Sequence, residues 1–319
     1  MIGVVGAGAF GTALAIALAR DGHAVQLWAR DRAHVEAMAQ QRCNTARLPG
    51  VELPESVTVT AEVPDLAAAE VVLLSLPMQA LNGFLIKQGK VLDGVPLIAC
   101  CKGVDLTTLQ GASVLIGAAC PNSVTAVLTG PSFAADIAKG LPTALTLACA
   151  DLQLEALQHL LSTPTLRLYR STDVIGAELG GALKNVIAIA AGVVIGAGLG
   201  ESARAALMTR GYAELLRFAL RSGARAETLA GLSGFGDLVL TCTSQQSRNL
   251  RFGMALGSGV AFDPEVTVEG AATAKAVVRM ADGMGVDMPI AGMVAALIDN
   301  RISLDQAIRA LMTRPLKQE

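Results

Sequence analysis

The first half of the chain alternates short runs of β-branched and aliphatic residues with helical patterns. Six apolar runs are predicted as strands buried on both faces, at residues 2–5, 24–28, 71–76, 96–100, 125–129 and 143–149. Helical stretches lie between several of these runs, as at residues 11–21 and 32–41. Strands that alternate with helices in this way are typical of an α/β fold with a doubly wound parallel sheet and helices on both faces.

In the second half the strand pattern stops and only helical periodicity remains. Six helices are predicted, at residues 174–195, 202–221, 249–256, 269–284, 289–300 and 303–312. Ser303 and Gln306 have the spacing of a capping box at the start of the last helix. Because no low-complexity linker separates the halves, we expect an α/β domain (residues 1–173) to pack directly on an all-α C-terminal domain (residues 174–319). A cleft should lie at their junction.

Composition narrows the class of protein. Hydrophobic residues make up 52% of the chain and charged residues 16%, which excludes disorder. The longest charge-free stretch, residues 106–135, is interrupted by Pro121 and Pro131, and the chain begins without a basic segment, so we predict neither a membrane span nor a signal peptide. A net charge of −2 predicts no nucleic-acid partner. The six cysteines lack zinc-site spacing, which predicts reduced thiols, no metal and a cytoplasmic location.

A glycine-rich motif joins the first predicted strand to the first predicted helix. Gly6, Gly8 and Gly11 stand in the pattern GxGxxG. Gly6 allows the tight turn, Gly8 lets the backbone approach a pyrophosphate, and Gly11 lets the helix and strand pack closely. The pyrophosphate would lie at the helix N-terminus, where unpaired N–H groups point towards it. In this context the motif predicts a Rossmann-type, dinucleotide-binding domain.

The choice of dinucleotide depends on the end of the second predicted strand, about 20 residues after the motif. Arg30 stands about where an NAD-preferring site usually has an acidic residue, and a guanidinium suits the 2′-phosphate of NADP. Asp31 follows directly and keeps open a hydrogen bond to the ribose of NAD. We predict that NADP(H) is preferred and that NAD(H) is also accepted.

Hydride transfer to a carbonyl needs a proton donor, and lysine is the better candidate in this chain. His23, His34 and His159 lie in a turn and on helices that should not face the nicotinamide. Lys184 lies in an apolar helical stretch, next to Asn185, which adds a hydrogen-bond donor. A lysine in such a helix either extends its ammonium group to the surface or serves a site. We favour the site.

Three further segments offer candidate groups. Lys102 follows a predicted strand at the end where open α/β sheets bind ligands. Ser247 and Arg248 open a predicted helix, where N–H groups, the helix dipole and a guanidinium can bind one phosphate. Asp237 follows a Gly-Phe-Gly turn. The alternatives are a solvated loop lysine, a serine-capped helix with surface arginines and an aspartate that only caps a helix.

These motifs, in this order, resemble those of the bacterial NAD(P)-dependent glycerol-3-phosphate dehydrogenases. The shared segments are Gly6 to Ala15, Lys102-Gly103, Gly130 to Ala134, Pro142 to Ala144, Leu183 to Val186, Gly234 to Leu238, Ser247 to Asn249 and Val268 to Gly270. The resemblance covers essentially the whole chain, and the ordered series is far more specific than any single member. It implies the reduction of dihydroxyacetone phosphate to sn-glycerol 3-phosphate with NADPH or NADH, which supplies glycerophospholipid synthesis.

The resemblance also implies residue roles, with Lys184 as the general acid/base. The predicted cofactor-binding residues are Gly6, Gly8, Ala9, Phe10, Gly11, Arg30, Lys102, Ala134, Arg248, Thr267 and Glu269. The predicted substrate-binding residues are Lys102, Gly130, Ser132, Lys184, Asp237, Ser247, Arg248 and Asn249. Some family members carry serine at the position of Ala9, so only a backbone contact is expected there. Asp237 would orient Lys184, and Arg248 with Asn249 would hold the phosphate.

Two alternatives remain at this stage, and a homodimer is left open. A related β-hydroxyacid or ketopantoate-type reductase would combine the same two domains and a lysine with a carboxylate pocket in place of the Arg248 phosphate pocket. A regulatory module that senses NADP without turnover would carry a degenerate lysine site. Lys184, Lys102 and Asp237 are all present, which favours an enzyme.

Overall fold

A computed structural model describes residues 1–312, and an eight-stranded sheet forms the centre of the first half. The order of the strands in space is β3-β2-β1-β4-β5-β6-β7-β8. They are β1 (Ile2–Val5), β2 (Val25–Trp28), β3 (Val57–Thr60), β4 (Val71–Leu74), β5 (Leu97–Ala99), β6 (Thr125–Thr129), β7 (Thr143–Ala148) and β8 (Leu166–Ser171). The strand order reverses between β1 and β4, and doubly wound sheets bind ligands beyond the carboxyl ends of the strands at such a point.

One pair of strands departs from the predicted parallel arrangement. β6 and β7 are antiparallel, with Val127 opposite Ala148 and Thr129 opposite Thr146, whereas the other described pairs are parallel. The prediction of a parallel sheet is therefore wrong at this pair. The chain between β6 and β7 contains only the five-residue helix α5 (Ala134–Ala138). It is too short to cross the sheet, so β7 starts beside the carboxyl-terminal end of β6. Parallel neighbours need a crossover that returns the chain to the opposite edge.

Helices cover both faces of the sheet, as predicted. The apolar sides of α1 (Ala9–Arg20), α2 (Arg32–Gln41), α5 and α6 (Leu154–Leu161) pack on one face. On the other face lie α3 (Met78–Leu92) and α4 (Ala112–Ala119). β1 and β4 are buried along their whole length, as strands covered on both faces should be. The doubly wound α/β class is confirmed.

Residues 174–312 are helical, which confirms the predicted all-α half. The helices are α7 (Val174–Gly196), α8 (Glu201–Arg221), α9 (Ala226–Ala230), α10 (Asp237–Thr243), α11 (Arg248–Ser258), α12 (Glu269–Met284), α13 (Pro289–Ile298) and α14 (Leu304–Met312). A π-helical turn, Leu232–Gly236, precedes α10. Ser303 and Gln306 form the predicted capping box of α14. Residues 313–319 of the predicted C-terminal domain lie outside the described residues.

α7 runs through the centre of the helical half. Asp173 caps its N-terminus by accepting a hydrogen bond of 2.8 Å from the Gly176 N–H. The helix packs against α8, α10, α11, α12 and α13. Its length and composition alone would allow it to cross a membrane, but 89% of its most apolar stretch is buried inside the molecule. The apolar sequence is thus used to form the core around the helix.

α7 and α11 touch through glycines on both helices. Gly192 and Gly196 of α7 lie against α11, and Gly253 and Gly257 of α11 lie against α7. A methyl group at any of these four positions would overlap a backbone atom of the opposite helix. The two backbones are therefore in direct contact, which fixes the spacing between two helices that both carry predicted site residues.

Candidate active site

The glycine-rich turn lies between β1 and α1, where the strand order reverses. Gly6 has φ +109°, and a side chain there would also meet the Ser75 carbonyl oxygen at 2.5 Å. At Gly8, by contrast, an added Cβ would meet nothing within 4 Å, so the backbone is open to an approaching ligand. Ala9, Phe10 and Gly11 are the first three residues of α1, whose N-terminus has no side-chain cap. Open space beside an uncapped helix N-terminus fits a pyrophosphate.

Sequence reasoning missed a buried residue that supports this turn. Asn44 is fully buried, and its Nδ2 donates to the Ala7 carbonyl oxygen at 2.9 Å and to the Thr12 hydroxyl at 2.8 Å. Ala7 lies between two glycines of the turn, and Thr12 lies in the first turn of α1. Asn44 stands 32 residues after Thr12, and no local pattern joins the two positions.

The three charged side chains that follow β2 differ in their contacts. Asp31 caps α2, accepting from the Ala33 N–H at 2.9 Å and the His34 N–H at 3.5 Å. Arg32 forms an ion pair with Glu62. Arg30 is exposed at the carboxyl end of the sheet. The Asp31 carboxylate is therefore engaged with its own helix.

Two lysines from different halves of the chain meet at one carboxylate. Lys184 Nζ lies 2.5 Å from Asp237 Oδ1, and Lys102 Nζ lies 2.6 Å from Asp237 Oδ2. Asp237 is fully buried and begins α10, with Gly236 in the capping position before it, so it is not a helix N-cap. Lys184 is also buried, so it does not extend its ammonium to the surface. Two ammonium groups beside one carboxylate leave the cluster with net positive charge.

A second hydrogen bond fixes the Lys184 ammonium. Its Nζ donates to the Thr241 hydroxyl at 2.7 Å, and Thr241 in turn lies 3.3 Å from Asp237 Oδ1. Sequence reasoning missed Thr241, although its spacing of four residues from Asp237 would place both on one face of a helix. Burial lowers the pKa of Lys184 to about 8, and the nearby Lys102 also lowers it, while Asp237 opposes both effects. Lys184 can therefore donate or accept a proton near neutral pH.

The N-terminus of α11 forms a second polar group of residues. Ser247 caps the helix, its Oγ accepting from the Leu250 N–H at 3.1 Å, and Arg248 is exposed in the first turn. Asn249 is buried and donates to Asn185 Oδ1 at 3.0 Å, so the residue after Lys184 contacts the residue after Arg248. A guanidinium at a helix start suits a phosphate.

The remaining predicted residues lie around these groups. Lys102 Nζ donates to the Gly130 carbonyl oxygen at 3.0 Å, and the Ser132 hydroxyl donates to the same oxygen at 3.3 Å. Ala134 is the first residue of α5. Glu269 begins α12 and accepts a hydrogen bond from the Met78 N–H; burial raises the pKa of this carboxyl, while that bond and the charge of Arg248 oppose the rise. Thr267 is exposed two residues before Glu269.

The structure thus brings together Lys102, Gly130, Ser132, Lys184 and Asp237. It joins the start of α11 to α7 through the hydrogen bond between Asn249 and Asn185, the residue after Lys184. The glycine-rich turn and Arg30 form a separate group at the carboxyl ends of β1 and β2. The three histidines lie elsewhere, and His159 is exposed beside Glu155 on α6. The geometry suits proton transfer by a buried lysine to a small anionic carbonyl compound.

Models of one protein family match both halves of the chain. The N-terminus of NAD-dependent glycerol-3-phosphate dehydrogenase matches residues 1–155, and the C-terminus of the same family matches residues 173–309. Together the two models cover most of the chain.

Individual proteins match over their full length. The NAD(P)+ glycerol-3-phosphate dehydrogenase of Cereibacter sphaeroides is 64% identical over 320 residues, and 100% of each chain is covered. The enzyme of the same name from Paracoccus denitrificans is 59% identical over 319 residues, with 100% of this chain and 99% of the relative covered. Among solved structures, glycerol-3-phosphate dehydrogenase from Coxiella burnetii is 35% identical, with a TM-score of 0.93 and 98% of both chains covered.

Proposed function

The chain belongs to the NAD-dependent glycerol-3-phosphate dehydrogenase family, and we propose that it reduces dihydroxyacetone phosphate to sn-glycerol 3-phosphate with NADPH or NADH. The observation that carries this proposal is Lys184, a buried lysine held by Asp237 and Thr241 with a pKa of about 8. Relatives at 64% and 59% identity carry the name of this enzyme over their whole length. They favour it over a β-hydroxyacid reductase and over a sensing module without turnover.

The cofactor fits the residues of the sheet edge. The open face of Gly8 and the uncapped start of α1 would hold the pyrophosphate, with Ala9 and Phe10 supplying backbone N–H groups. Arg30 would hold the 2′-phosphate of NADP, and Ala134, Thr267 and Glu269 would contact the cofactor as they do by family resemblance. When bound, the nicotinamide supplies the hydride that reduces the carbonyl carbon.

The substrate would lie between the lysine cluster and α11. Arg248 and Asn249, at the Ser247-capped start of α11, would bind the phosphate group, and this binding would hold the carbonyl near Lys184. Lys102, Gly130 and Ser132 would border the other side, with Lys102 contacting the carbonyl oxygen.

Lys184 would supply the proton. As an ammonium group it protonates the carbonyl oxygen while the carbonyl carbon receives the hydride, and it is left as a neutral amine that regains a proton from solvent. Asp237 and Thr241 hold Nζ in place and stabilise the charged form before transfer.

The function is tested by comparing dihydroxyacetone phosphate with dihydroxyacetone as substrates. We expect a much higher kcat/KM for the phosphorylated compound, because phosphate binding positions the carbonyl. Steady-state oxidation of NADPH and of NADH by the purified protein measures both values. Arg248→Ala should remove most of the difference, whereas Arg251→Ala, which changes an exposed arginine one turn further along α11, should leave it. Equal kcat/KM for both compounds in the unaltered enzyme would contradict the phosphate assignment.

The pKa of Lys184 predicts opposite pH profiles for the two directions of the reaction. Reduction needs the ammonium, so its kcat/KM should fall as pH rises through about 8. Oxidation of glycerol 3-phosphate needs the neutral amine, so its kcat/KM should rise over the same range. Profiles of kcat/KM, which report the enzyme before the substrate binds, should therefore have limbs of opposite direction. A fall with rising pH in both directions would exclude a single lysine as the proton carrier.

We propose that the enzyme prefers NADP(H) because of Arg30 and that it also accepts NAD(H). Arg30→Ala should raise KM for NADPH by about 10- to 100-fold, the effect of one charged hydrogen bond worth about 1.5–3 kcal/mol, and should hardly change KM for NADH. Arg32→Ala is the matched control, because Arg32 is already paired with Glu62. An equal rise in both KM values would leave the NADP preference without its proposed cause.

We propose that the cofactor domain ends at Asp173 and the substrate domain begins at Val174, since β8 ends at Ser171 and α7 starts at Val174. A cytoplasmic location is supported by six cysteines that are all free thiols. Supply of glycerophospholipid synthesis follows from the proposed product. A homodimer stays a prediction, for which light scattering during size-exclusion chromatography is the direct measurement.

A further inference from the structure

Helix α4 lacks an N-terminal cap of its own and receives one from the other half of the chain. Gly111 stands in the capping position and offers no side chain. Glu178 of α7 fills this role: its Oε1 accepts from the Ser113 N–H at 2.8 Å, and its Oε2 accepts from the Ser113 hydroxyl at 2.9 Å. The Ala112 N–H also donates to this carboxylate. One carboxylate thus joins the sheet half to the helical half.

Gly111 is required here by space and not by backbone conformation. Its φ of −77° and ψ of 168° are values that any residue adopts. A Cβ at this position would overlap the Glu178 carboxylate, since it would lie closer to Oε2 than van der Waals contact allows. The absence of a side chain therefore lets the Glu178 carboxylate reach the N–H groups of α4.

The segment between Lys102 and Gly111 is a compact loop whose first residue is a predicted site residue. Asp105 organises it, with Oδ1 accepting from the N–H groups of residues 107 and 108 and its own N–H donating to the Gln110 carbonyl oxygen at 3.0 Å. Arg279 of α12 holds the loop near its centre by donating to the Leu106 carbonyl oxygen at 2.9 Å. Gln79 of α3 also bonds the backbone of Val104 and Leu106, at 2.8 Å and 3.0 Å. Glu178 is thus the anchor of this loop at its Gly111 end, and Gln79 and Arg279 are the anchors between that end and Lys102.

Glu178 and Lys184 lie on the same helix, six residues apart, which is about 9 Å along the helix axis. Lys102 and Lys184 reach Asp237 from opposite sides of the junction between the two halves. We infer that Glu178 is a positioning residue for the reaction, because it fixes the Lys102 loop against α7 so that both lysines meet at Asp237. This inference rests on the proposed function of the same site.

The test compares two variants with the same chemical change. Glu178→Gln removes the negative charge at the start of α4 and replaces one acceptor oxygen with an NH2 group. Glu214→Gln does the same at the start of α13, where the Glu214 carboxylate accepts from the Ile290 and Ala291 N–H groups, both at 2.9 Å. Glu214 and α13 lie within the helical half, so this control changes a buried helix cap without affecting the junction.

Glu178→Gln should lower kcat/KM for dihydroxyacetone phosphate by about 10- to 100-fold, because small misplacements of reacting groups are costly. KM for NADPH should change by a smaller factor than kcat/KM for dihydroxyacetone phosphate, because the start of α1 and Arg30, which would hold the pyrophosphate and the 2′-phosphate, lie outside the loop. Glu214→Gln should lower the Tm and leave both kinetic values nearly unchanged. A drop in kcat/KM no larger than that of Glu214→Gln, or an equal rise of both KM values, would overturn the inference.

The pH profile gives a readout that a merely structural role would not change. The charged and titratable groups facing Lys184 are Lys102 from the end of β5 and Asp237 and Cys242 from α10. The charge of Lys102 lowers the pKa of Lys184. If Lys102 moves away in Glu178→Gln, the pKa of Lys184 should rise above about 8, and the fall of kcat/KM for reduction should shift to higher pH. An unshifted limb would contradict the inference. Ser113→Ala, which removes one donor to Glu178, should shift the limb in the same direction by less and serves if Glu178→Gln does not fold.

Failure of the proposed function is recognised separately. If the unaltered protein does not turn over dihydroxyacetone phosphate, the function is wrong whatever Glu178 does. Labelling of Lys184 by acetic anhydride across a pH range, followed by peptide mass spectrometry, measures the pKa of this lysine without any substrate. A higher pKa in Glu178→Gln than in the unaltered protein and in Glu214→Gln supports the inference, and equal values overturn it.

Discussion

Replacing Lys184 with alanine should lower kcat for the reduction by a factor of about 10²–10⁴ and leave NADPH binding almost unchanged. The loss is the usual contribution of a general acid. NADPH binding should persist because the glycine-rich turn and Arg30 lie on the sheet edge, away from α7. Single-turnover rates at saturating NADPH, together with a direct titration of NADPH, measure both quantities.

Two comparison variants identify the proton donor. Lys184→Arg keeps the positive charge but not the size or acidity of the ammonium, so it should be nearly as inactive as the alanine variant. Lys102→Ala should retain more chemistry, because in the proposed reaction Lys102 holds the substrate while Lys184 donates the proton. If Lys184→Ala keeps near-normal chemistry while Lys102→Ala abolishes it, the two roles must be exchanged.

Asp237→Asn should produce the largest combined loss of stability and activity. It removes the carboxylate that pairs with both Lys102 and Lys184, and breaking a buried ion pair in this way costs about 3–5 kcal/mol in the free energy of unfolding. Without Asp237 the pKa of Lys184 should fall below about 8, because burial and Lys102 then act unopposed. Less ammonium is left for reduction at neutral pH. Chemical denaturation and the pH profile of kcat/KM measure the two effects.

Thr241→Val is the control for this variant. It removes the hydroxyl that accepts from Lys184 Nζ but leaves the charge balance of the cluster unchanged. We expect a loss of about 1–3 kcal/mol and a much smaller shift of the pH profile than for Asp237→Asn. Wild-type stability in Asp237→Asn, or an unshifted profile, would show that Asp237 does not control the charge of Lys184.

The strands that sequence reasoning identified are those with two buried faces, and the strands it missed are the two edges. β3 (Val57–Thr60) and β8 (Leu166–Ser171) stand at the ends of the sheet order. β8 alternates buried Leu166 and Leu168 with exposed Arg167 and Tyr169, so it lacks the continuous apolar run that marks a central strand. Charged side chains on an edge strand also hinder pairing with another chain.

Local signals located the site residues but not the contacts between them. The predicted bounds of α2 and α12 agree with the structure because capping and periodicity are local. Asp237 and Lys184, however, are 53 residues apart. α10 was not predicted because the glycine-rich segment before it, Leu232–Gly236, has the composition of a loop. Thr241 was missed with that helix. Only the packing of α10 on α7 brings these three side chains together.

The glycine contacts between α7 and α11 have a consequence for substrate choice. With their backbones touching at Gly192 and Gly253, the two helices behave as one rigid body that carries Lys184 on one member and Arg248 on the other. In the proposed reaction these side chains engage the carbonyl oxygen and the phosphate of the same molecule. A fixed distance between them would select substrates by length. Compounds with one carbon more or fewer between carbonyl and phosphate could contact one of the two side chains but not both.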